Sequence, residues 1–456
     1  MSTGTEIGEP TTELRGWGRT APSAADLRCP DTRAELEALL RDPPPRGLLA
    51  RGLGRSYGDA AQNAGGRVVS TTSSARIRAI DIDTGIVTAD AGVSIDTLIR
   101  VLVPLGFFVP VTPGTRFVTV GGAIAADVHG KNHHVAGAWS RHVISMTFAL
   151  PSGELTTLTP DSDPGLFWAT AGGLGLTGTV VDATFRCKAI DTSRLAVDTD
   201  RCRDLDHVMV LMTEGETVHP YSVAWIDLMA TGAAMGRSVL TQGDFATVDQ
   251  LPSKLRGEPL GYQASVLASA PPVPPGLLSR MSIRAFNELW YRKAPAHRVG
   301  EIQTIPTFFH PLDMVGHWNR LYGPGGFLQW QYVLPFGAEE IVRRTIERLS
   351  DASTPSFLAV LKRFGAADPG PLSFPAPGWT LALDIPTGVD GLPHLLDELD
   401  EEVVAAGGRI YLAKDSRVRG ELLAHMYPRL DEWREVRERV DPHRRMQSDL
   451  ARRLDL

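Results

Sequence analysis

RGLGRSYGDA (Arg51–Ala60) and PGTRFVTVGGAIAADVHG (Pro113–Gly130) decide the reading of this chain, with a third glycine-rich run, LFWATAGGLGLTG, at Leu166–Gly178. Glycine reaches φ > 0 without steric cost and lets backbone N–H groups approach a ligand with no Cβ in the way. Successive amides in such turns form concavities that suit an anion such as a pyrophosphate. Three of these loops fall in the first half of the chain, each bordered by apolar, strand-like runs. They predict that this half is built around one large phosphorylated cofactor.

The rest of the composition sets bounds. A chain of 456 residues predicts two or three domains with ample core. Hydrophobic residues at 43%, charged residues at 22% and a net charge of −7 describe an ordinary globular protein and argue against nucleic-acid binding. Cys29, Cys187 and Cys202 are odd in number and lack CxxC spacing, so neither a disulfide framework nor a zinc ribbon is expected. The N-terminal MSTGTEIGEPTTELRGWG has no basic segment followed by an apolar one, so a secretory leader is not expected. The most apolar stretch, Leu98–Val111, is interrupted by Arg100, Pro104, Gly106 and Pro110 and is too short to span a bilayer, so a soluble chain is expected.

Local patterns predict an α+β chain with mixed sheets. Asp31–Glu35 reads as an N-cap with a capping box, followed by Leu36, Leu39 and Leu40 at helical spacing. Residues 76–91 alternate around Asp83-Thr84-Gly85, and Met146–Leu158 turns at Pro151-Ser152-Gly153, so both read as hairpins. Ser94 caps a helix carrying Leu98, Val101, Leu102 and Leu105, which Gly106 ends. From about Asp191 the texture changes to strands at Ser222–Ile226, Phe327–Leu334 and Thr380–Ile385. Phe245–Pro275 and His310–Gly326 lack periodicity and read as lids or disordered segments. GGRIYLAKDS, Gly407–Ser416, reads as a strand leading into an Arg-rich helical tail.

Some motif matches mislead. Gly173–Gly178 satisfies GxGxxG, but a helix-like DPGLFWAT precedes it and the β-branched TVVDATF follows, the reverse of the dinucleotide-binding order. Gly54–Gly58 satisfies GxSxG, yet DAAQNAGGR after it does not read as the helix a nucleophile elbow needs. His129, His133 and His134 lack neighbouring cysteines or a clear helix, so they read as core or solvated histidines and no metal site is expected.

The pattern RGxGRSYGD, PGTxxVTVGGAIAxDVHGKNHH and LFWAxxGGxGLTG resembles the vanillyl-alcohol-oxidase-type FAD oxidoreductases. Within them it is most similar to the decaprenylphosphoryl-β-D-ribose 2′-oxidases of actinobacterial cell-wall synthesis. The similarity continues through FLQWQYVLP (Phe327–Pro335), LAVLKRFG (Leu358–Gly365), GWTLALDIP (Gly378–Pro386), GGRIYLAKDSR (Gly407–Arg417) and MYPRLDEW (Met426–Trp433). It implies an α+β, two-domain, PCMH-type fold. Residues 1–190 and the return 409–456 would form an FAD-binding domain. Residues 191–408 would form a substrate domain on an antiparallel sheet.

The resemblance also implies roles. Ala50, Arg51, Gly52, Leu53, Gly54, Arg55, Ser56, Tyr57, Gly58, Asp59 and Ala60, with Gly114, Thr119, Val120, Gly121 and Gly122, would cradle the FAD pyrophosphate through backbone amides. Ala126, Asp127, Val128 and His129 would run along the ribityl chain and ring, flanked by Val181 and Tyr411. Gulonolactone oxidases carry a flavin-linked His where this chain has Arg55, so FAD would be noncovalent. Lys414 would set a positive charge against the negative charge that reduction places on the ring, and a surface lysine at a strand end is the plain alternative. His129 suits a base by its ordinary pKa, although a structural hydrogen bond would account for it as well. Tyr57, Lys131, Gln329, Gln331, Lys362, Ala382 and Lys414 would line the substrate pocket. Gln329 and Gln331, two apart on a strand, share one face, which suits a polyol and equally a polar sheet surface. Ala382 stands where many relatives have Cys, and Thr380 where Asn is common. The implied substrate is a polyprenyl-phosphoryl ribose oxidised at its 2′-hydroxyl, for a partner short-chain reductase to complete the epimerisation to arabinose. Peripheral membrane contact, on the cytoplasmic or more readily the periplasmic face, would follow from the lipid. The alternatives are an oxygen-using sugar, aldonolactone or alditol oxidase, or a flavoprotein scaffold without turnover.

Overall fold

A computed structural model describes residues 11–264, 266, 268–271, 273, 279–352, 354, 356 and 358–456. Part of the predicted loop Phe245–Pro275 and the first ten residues of the N-terminal segment therefore lie outside the described residues. The first 190 residues form two principal sheets. Strands Ser23–Arg28, Leu48–Arg51 and Arg67–Ser70 run parallel, with Thr12–Leu14 antiparallel at one edge. The second sheet is antiparallel, with order Ile77–Asp81, Ile86–Asp90, Thr179–Arg186, Val143–Ala149, Leu155–Leu158. Both expected hairpins are here.

The caps follow the local chemistry. Thr32 caps the helix Arg33–Arg41, its hydroxyl accepting from the Glu35 amide at 3.2 Å while the Asp31 amide donates to the Glu35 carboxylate. Ser94 caps Ile95–Leu102, and Gly106 ends the following 3₁₀ turn at φ 84°. The buried face of that helix is Ile95, Leu98, Ile99 and Leu102, whereas Val101 and Leu105 face solvent. The reversed order around Gly173–Gly178 is real: helix Pro164–Thr170 precedes it and strand Thr179–Arg186 follows.

An antiparallel eight-stranded sheet holds the later part of the chain. Its order is His297–Thr304, Arg194–Cys202, Ser238–Phe245, Tyr221–Ile226, Ala359–Phe364, Gly378–Pro386, Phe327–Leu334, Arg409–Ile410. Alternation sorts its two faces. Trp330, Tyr332, Leu334, Leu381, Leu383 and Leu361 point into a core shared with helices Leu205–Glu214, Glu339–Asp351 and Leu392–Ala405. The opposite face carries polar residues and looks toward the glycine loops. The expected strand at 407–416 is cut to Arg409–Ile410, because Lys414 and Asp415 turn back with their amides bonded to the Tyr411 carbonyl. The tail then returns to the first sheet, where the Leu48 amide donates to the Arg445 carbonyl and the Gln447 amide to the Leu48 carbonyl.

Segment 310–326 is more structured than its sequence predicts. It forms 3₁₀ turns at Pro311–Met314 and Trp318–Tyr322 around a two-residue strand, Val315–Gly316, paired in parallel with Ala268–Ser269. Aromatic burial replaces periodicity as the ordering force: Trp318 and Tyr322 pack on Phe327.

Candidate active site

The Arg51–Ala60 loop leaves strand Leu48–Arg51 and is held from behind. The Arg51 guanidinium donates to the carbonyls of Ala61 at 2.5 Å and Arg15 at 2.7 Å. Gly54 sits at φ 63°, and a Cβ there would lie 2.3 Å from that fixed guanidinium. At Gly58 a Cβ would lie 2.0 Å from the Asp415 carbonyl oxygen, so the loop touches the Lys414–Asp415 turn directly. The Tyr57 amide donates to the Ala413 carbonyl. Between these anchors, the amides of Gly52, Leu53, Gly54, Arg55 and Ser56 have no acceptor among the described residues. A run of unpaired amides in a glycine-rich turn fits a pyrophosphate.

The second loop behaves differently. The amides of Val120, Gly121 and Gly122 are already committed, to the Val93 carbonyl, the Ala91 carbonyl and the Thr119 hydroxyl. These bonds dock the short helix Val120–Ala125 on its neighbours and close its N-cap, so its amides are less free than those of the first loop. Thr119 spends its hydroxyl on that cap, and Gly114 stays open, with nothing within 4 Å of the point a Cβ would occupy. The third glycine run supports this helix: the Gly172 and Leu174 amides donate to the Ile124 and Ala125 carbonyls.

Beyond the helix, Asp127 has φ 39° and a buried carboxylate that accepts from the Ser140 amide and the Ser373 hydroxyl. Burial and the nearby Asp368 raise it to about 7, and its two bonds tie the turn down. Val128 is buried in the core of the first half. Tyr411 donates from its hydroxyl to the Ala126 carbonyl at 2.8 Å. Val181 packs with Leu36, Leu48, Val69 and Ala149, borders a small cavity with Ser70, Thr71 and Ala91, and accepts from the Ala91 amide. Among the described residues no cluster has the makings of a metal site; His133 pairs with Asp368 at 2.8 Å and His134 with the His219 carbonyl.

Strand register assembles the facing wall. Gln329 lies opposite Asp384, Gln331 opposite Ala382, and Lys362 opposite Thr380, so all of them occupy one face of three adjacent strands. The Gln329 amide donates to the Asp384 carboxylate, which Tyr322 also approaches. The Gln331 amide donates to Thr380 at 2.8 Å and meets Nε2 of His129 at 3.2 Å. His129 is boxed by Phe364, Phe374 and Tyr411, with ring centroids at 4.8, 5.5 and 5.2 Å. Burial, reinforced by Lys362 and Lys414, pushes its pKa well below the ordinary histidine value, so the ring is neutral. Three buried polar atoms on this wall have no protein partner: His129 Nδ1, Gln329 Oε1 and Gln331 Oε1.

Three lysines crowd the same space. Burial lowers Lys131 to about 7, and its ammonium donates to the Phe308 carbonyl. Burial, with Lys414 and Lys131 nearby, lowers Lys362 well below the usual lysine range. Lys414 falls to about 8 through burial, although the Asp384 carboxylate works in the other direction. Its ammonium stands 5.6 Å from the Tyr57 ring centroid and 5.9 Å from that of Tyr411, with no hydrogen-bond acceptor among the described residues. Asp384, raised to about 7 by burial, is the one carboxylate among them that the sequence reading omitted. Its signal was the alternation Thr380, Ala382, Asp384 in TLALD, in phase with the two glutamines. Arg55 stacks on Trp17 at 3.8 Å and borders a cavity of about 250 Å³ that Phe117, Asp313, Val315 and Trp318 help to line.

A family model for an FAD binding domain matches residues 25–159, and one for D-arabinono-1,4-lactone oxidase matches residues 394–454. Decaprenylphosphoryl-β-D-ribose oxidase of Mycolicibacterium smegmatis is 46% identical over 464 residues, covering 100% of both chains. An uncharacterised protein of Streptomyces coelicolor is 42% identical over 374 residues, 80% of this chain and 100% of that one. D-arabinono-1,4-lactone oxidase of Yarrowia lipolytica is 36% identical over 100 residues, 22% of this chain and 19% of that one.

Proposed function

This chain belongs to the decaprenylphosphoryl-β-D-ribose oxidase family, FAD-dependent oxidoreductases of the α+β, vanillyl-alcohol-oxidase/PCMH-type fold, and on that premise we propose that it oxidises the 2′-hydroxyl of a polyprenyl-phosphoryl-β-D-ribose to the 2′-keto sugar. One observation carries this reading. Lys131, Lys362 and Lys414 crowd a polar wall that holds a single carboxylate, Asp384, among them. Such a site favours an anionic, hydroxyl-rich ligand over a neutral lactone, since a phosphate relieves the mutual repulsion of the lysines. The lactone-oxidase family model covers residues 394–454, which include Lys414 but not Gln329, Gln331, Lys362 or Asp384.

The residues divide the work. The unpaired amides of Gly52–Ser56 would hold the FAD pyrophosphate, and Arg55, in place of a linking histidine, would leave the cofactor noncovalent. When bound, FAD supplies the acceptor for the hydride that leaves the 2′ carbon. Gln329 and Gln331 would orient sugar hydroxyls through their unpartnered carbonyl oxygens. The neutral ring of His129 is in the form that accepts a hydroxyl proton. Lys414 would provide a fixed positive charge in a desolvated site, where such a charge is worth most. Lys131 and Lys362 would take the phosphodiester. Residues 1–190 with 409–456 would serve the cofactor, and 191–408 the substrate.

The keto sugar would pass to a reductase that completes an epimerisation, and a lipid-linked substrate supports work at a membrane surface, on the periplasmic side as the resemblance implies. No helix of the described residues is long and apolar enough to cross a membrane. Anaerobic flavin bleaching tests the reading. Polyprenyl-phosphoryl ribose should bleach the flavin quickly while free ribose, gulonolactone and xylitol should not. Equal bleaching by gulonolactone would overturn it in favour of a lactone oxidase.

A further inference from the structure

Helix Arg280–Lys293 (RMSIRAFNELWYRK) is built unlike the other surface helices. Only Ile283 and Asn287 on it are buried. Asn287 donates to the buried carboxylate of Asp227 at 2.7 Å, and Tyr291 to the Cys202 carbonyl at 3.2 Å, so one narrow stripe anchors the helix to the sheet. The opposite side, beside Arg292, Ser282 and Lys293, exposes large apolar residues where water should favour polar ones. Met281 is 81% exposed, Leu289 69% and Trp290 44%. At 100° per residue, Met281, Ala285 and Leu289 lie on one outward arc, while Phe286 and Trp290, stacked at 6.0 Å, lie further round toward buried Ile283.

The charge of this helix is also out of character. The chain carries −7 overall, yet the helix holds Arg280, Arg284, Arg292 and Lys293 against one acid, Glu288. Glu288 pairs with Arg237 and Arg292, while Arg280, Arg284 and Lys293 make no ion pair among the described residues. An outward apolar face flanked by free cations, with a tryptophan at its border, has the composition of a helix lying in the headgroup region of a bilayer. Its aliphatic residues enter the acyl boundary while the arginines and lysine reach anionic headgroups.

We propose that Arg280–Lys293 is a membrane-docking helix that seats the enzyme on an anionic lipid surface. Its placement rests on the reading that the substrate is a polyprenyl phosphate, since such a substrate must be drawn from a bilayer. A protein partner of acidic surface is the competing occupant, and Met281 and Leu289 argue against it. They stand well out into solvent beside cations, and a fluid acyl layer accepts exposed side chains of any shape.

Vesicle co-sedimentation of the FAD-loaded enzyme provides the test. Wild type should pellet with phosphatidylcholine vesicles containing phosphatidylglycerol, much less with phosphatidylcholine alone, and should be released by high salt. Leu289→Ser, at an exposed position that leaves the anchoring stripe intact, should weaken partitioning by roughly tenfold, from the transfer free energy of one leucine side chain. Arg280→Glu/Arg284→Glu should remove the preference for anionic lipid. Wild type that stays in solution with both vesicles overturns the proposal, as does a Leu289→Ser variant that pellets like wild type. Sedimentation equilibrium without lipid decides the competing case: self-association that Leu289→Ser abolishes, with no vesicle binding, makes the face a protein interface. Vesicle binding is read without substrate, so it separates from the reading of the reaction. Enzyme that binds vesicles but is not bleached by polyprenyl-phosphoryl ribose leaves this proposal standing, and bleaching without vesicle binding defeats this proposal alone.

Discussion

The two walls of the cleft recognise their ligands by opposite means. The glycine loop at 51–60 offers backbone: five consecutive amides without acceptors, kept open by glycines that admit no Cβ. The sheet wall offers side chains, projected by alternation from three strands that are distant in sequence and brought into register by pairing. A backbone site is contiguous and tolerates few substitutions. A side-chain site is dispersed and can change its substrate one residue at a time. Lys414 joins the two, because its turn abuts Gly58 on one side and its ammonium lies within the field of Asp384 on the other.

If the walls are separable, their variants should fail in different ways. Lys414→Ala should keep bound FAD and a normal fold but lose about 10²–10³ in substrate-driven flavin reduction, the cost of removing one oriented charge. Lys414→Arg should also be impaired, because a planar fork does not replace a compact ammonium. Stopped-flow bleaching beside the flavin-to-protein ratio checks both, and loss of FAD from Lys414→Ala would break the division. Gly54→Ala should do the converse. A side chain at φ 63° meeting a fixed guanidinium costs about 1–3 kcal/mol, roughly ten- to hundredfold in FAD affinity. Once saturated with FAD, that variant should turn over near wild-type rate. The same preparations should release yellow FAD on acid precipitation if Arg55 leaves the cofactor unlinked.

Titration sharpens the comparison further. Lys414 is depressed to about 8, so its charge is present below that pH and lost above it. kcat/KM should therefore fall about tenfold per unit on the alkaline side of pH 8, reporting the free enzyme. The flavin-binding constant should stay flat over the same range, and in Lys414→Ala the limb near pH 8 should vanish, leaving only what Lys131, lowered to about 7, contributes. Ala382→Cys should have the smallest effect, a change within about threefold in kcat/KM, because the position adds volume beside Gln331 and no charge. A larger loss would mean that the sugar packs directly on that strand.

Much of this was legible because it is local. Glycine turns, the Ser94 cap, both hairpins and the alternation of Gln329 and Gln331 depend on neighbours in the chain, and the motifs near Arg51, His129 and Lys414 are contiguous. The features that escaped a local reading were of another kind. The amides of Gly121 and Gly122 look available in sequence but are used by Ala91 and Thr119. Segment 310–326 lacks periodicity, but its aromatics order it by packing on Phe327.

The amino-acid sequence alone determined the α+β class, the phosphate-ready loop and the residue types of the site, because propensity, capping and glycine conformations act over a few residues. Tertiary structure decided which amides remain unpaired and that Asp384 lies among three lysines. It also decided that His129 is neutral. Those properties depend on burial and on partners hundreds of residues away, as in the meeting of Gln331 with His129, and no local pattern encodes them.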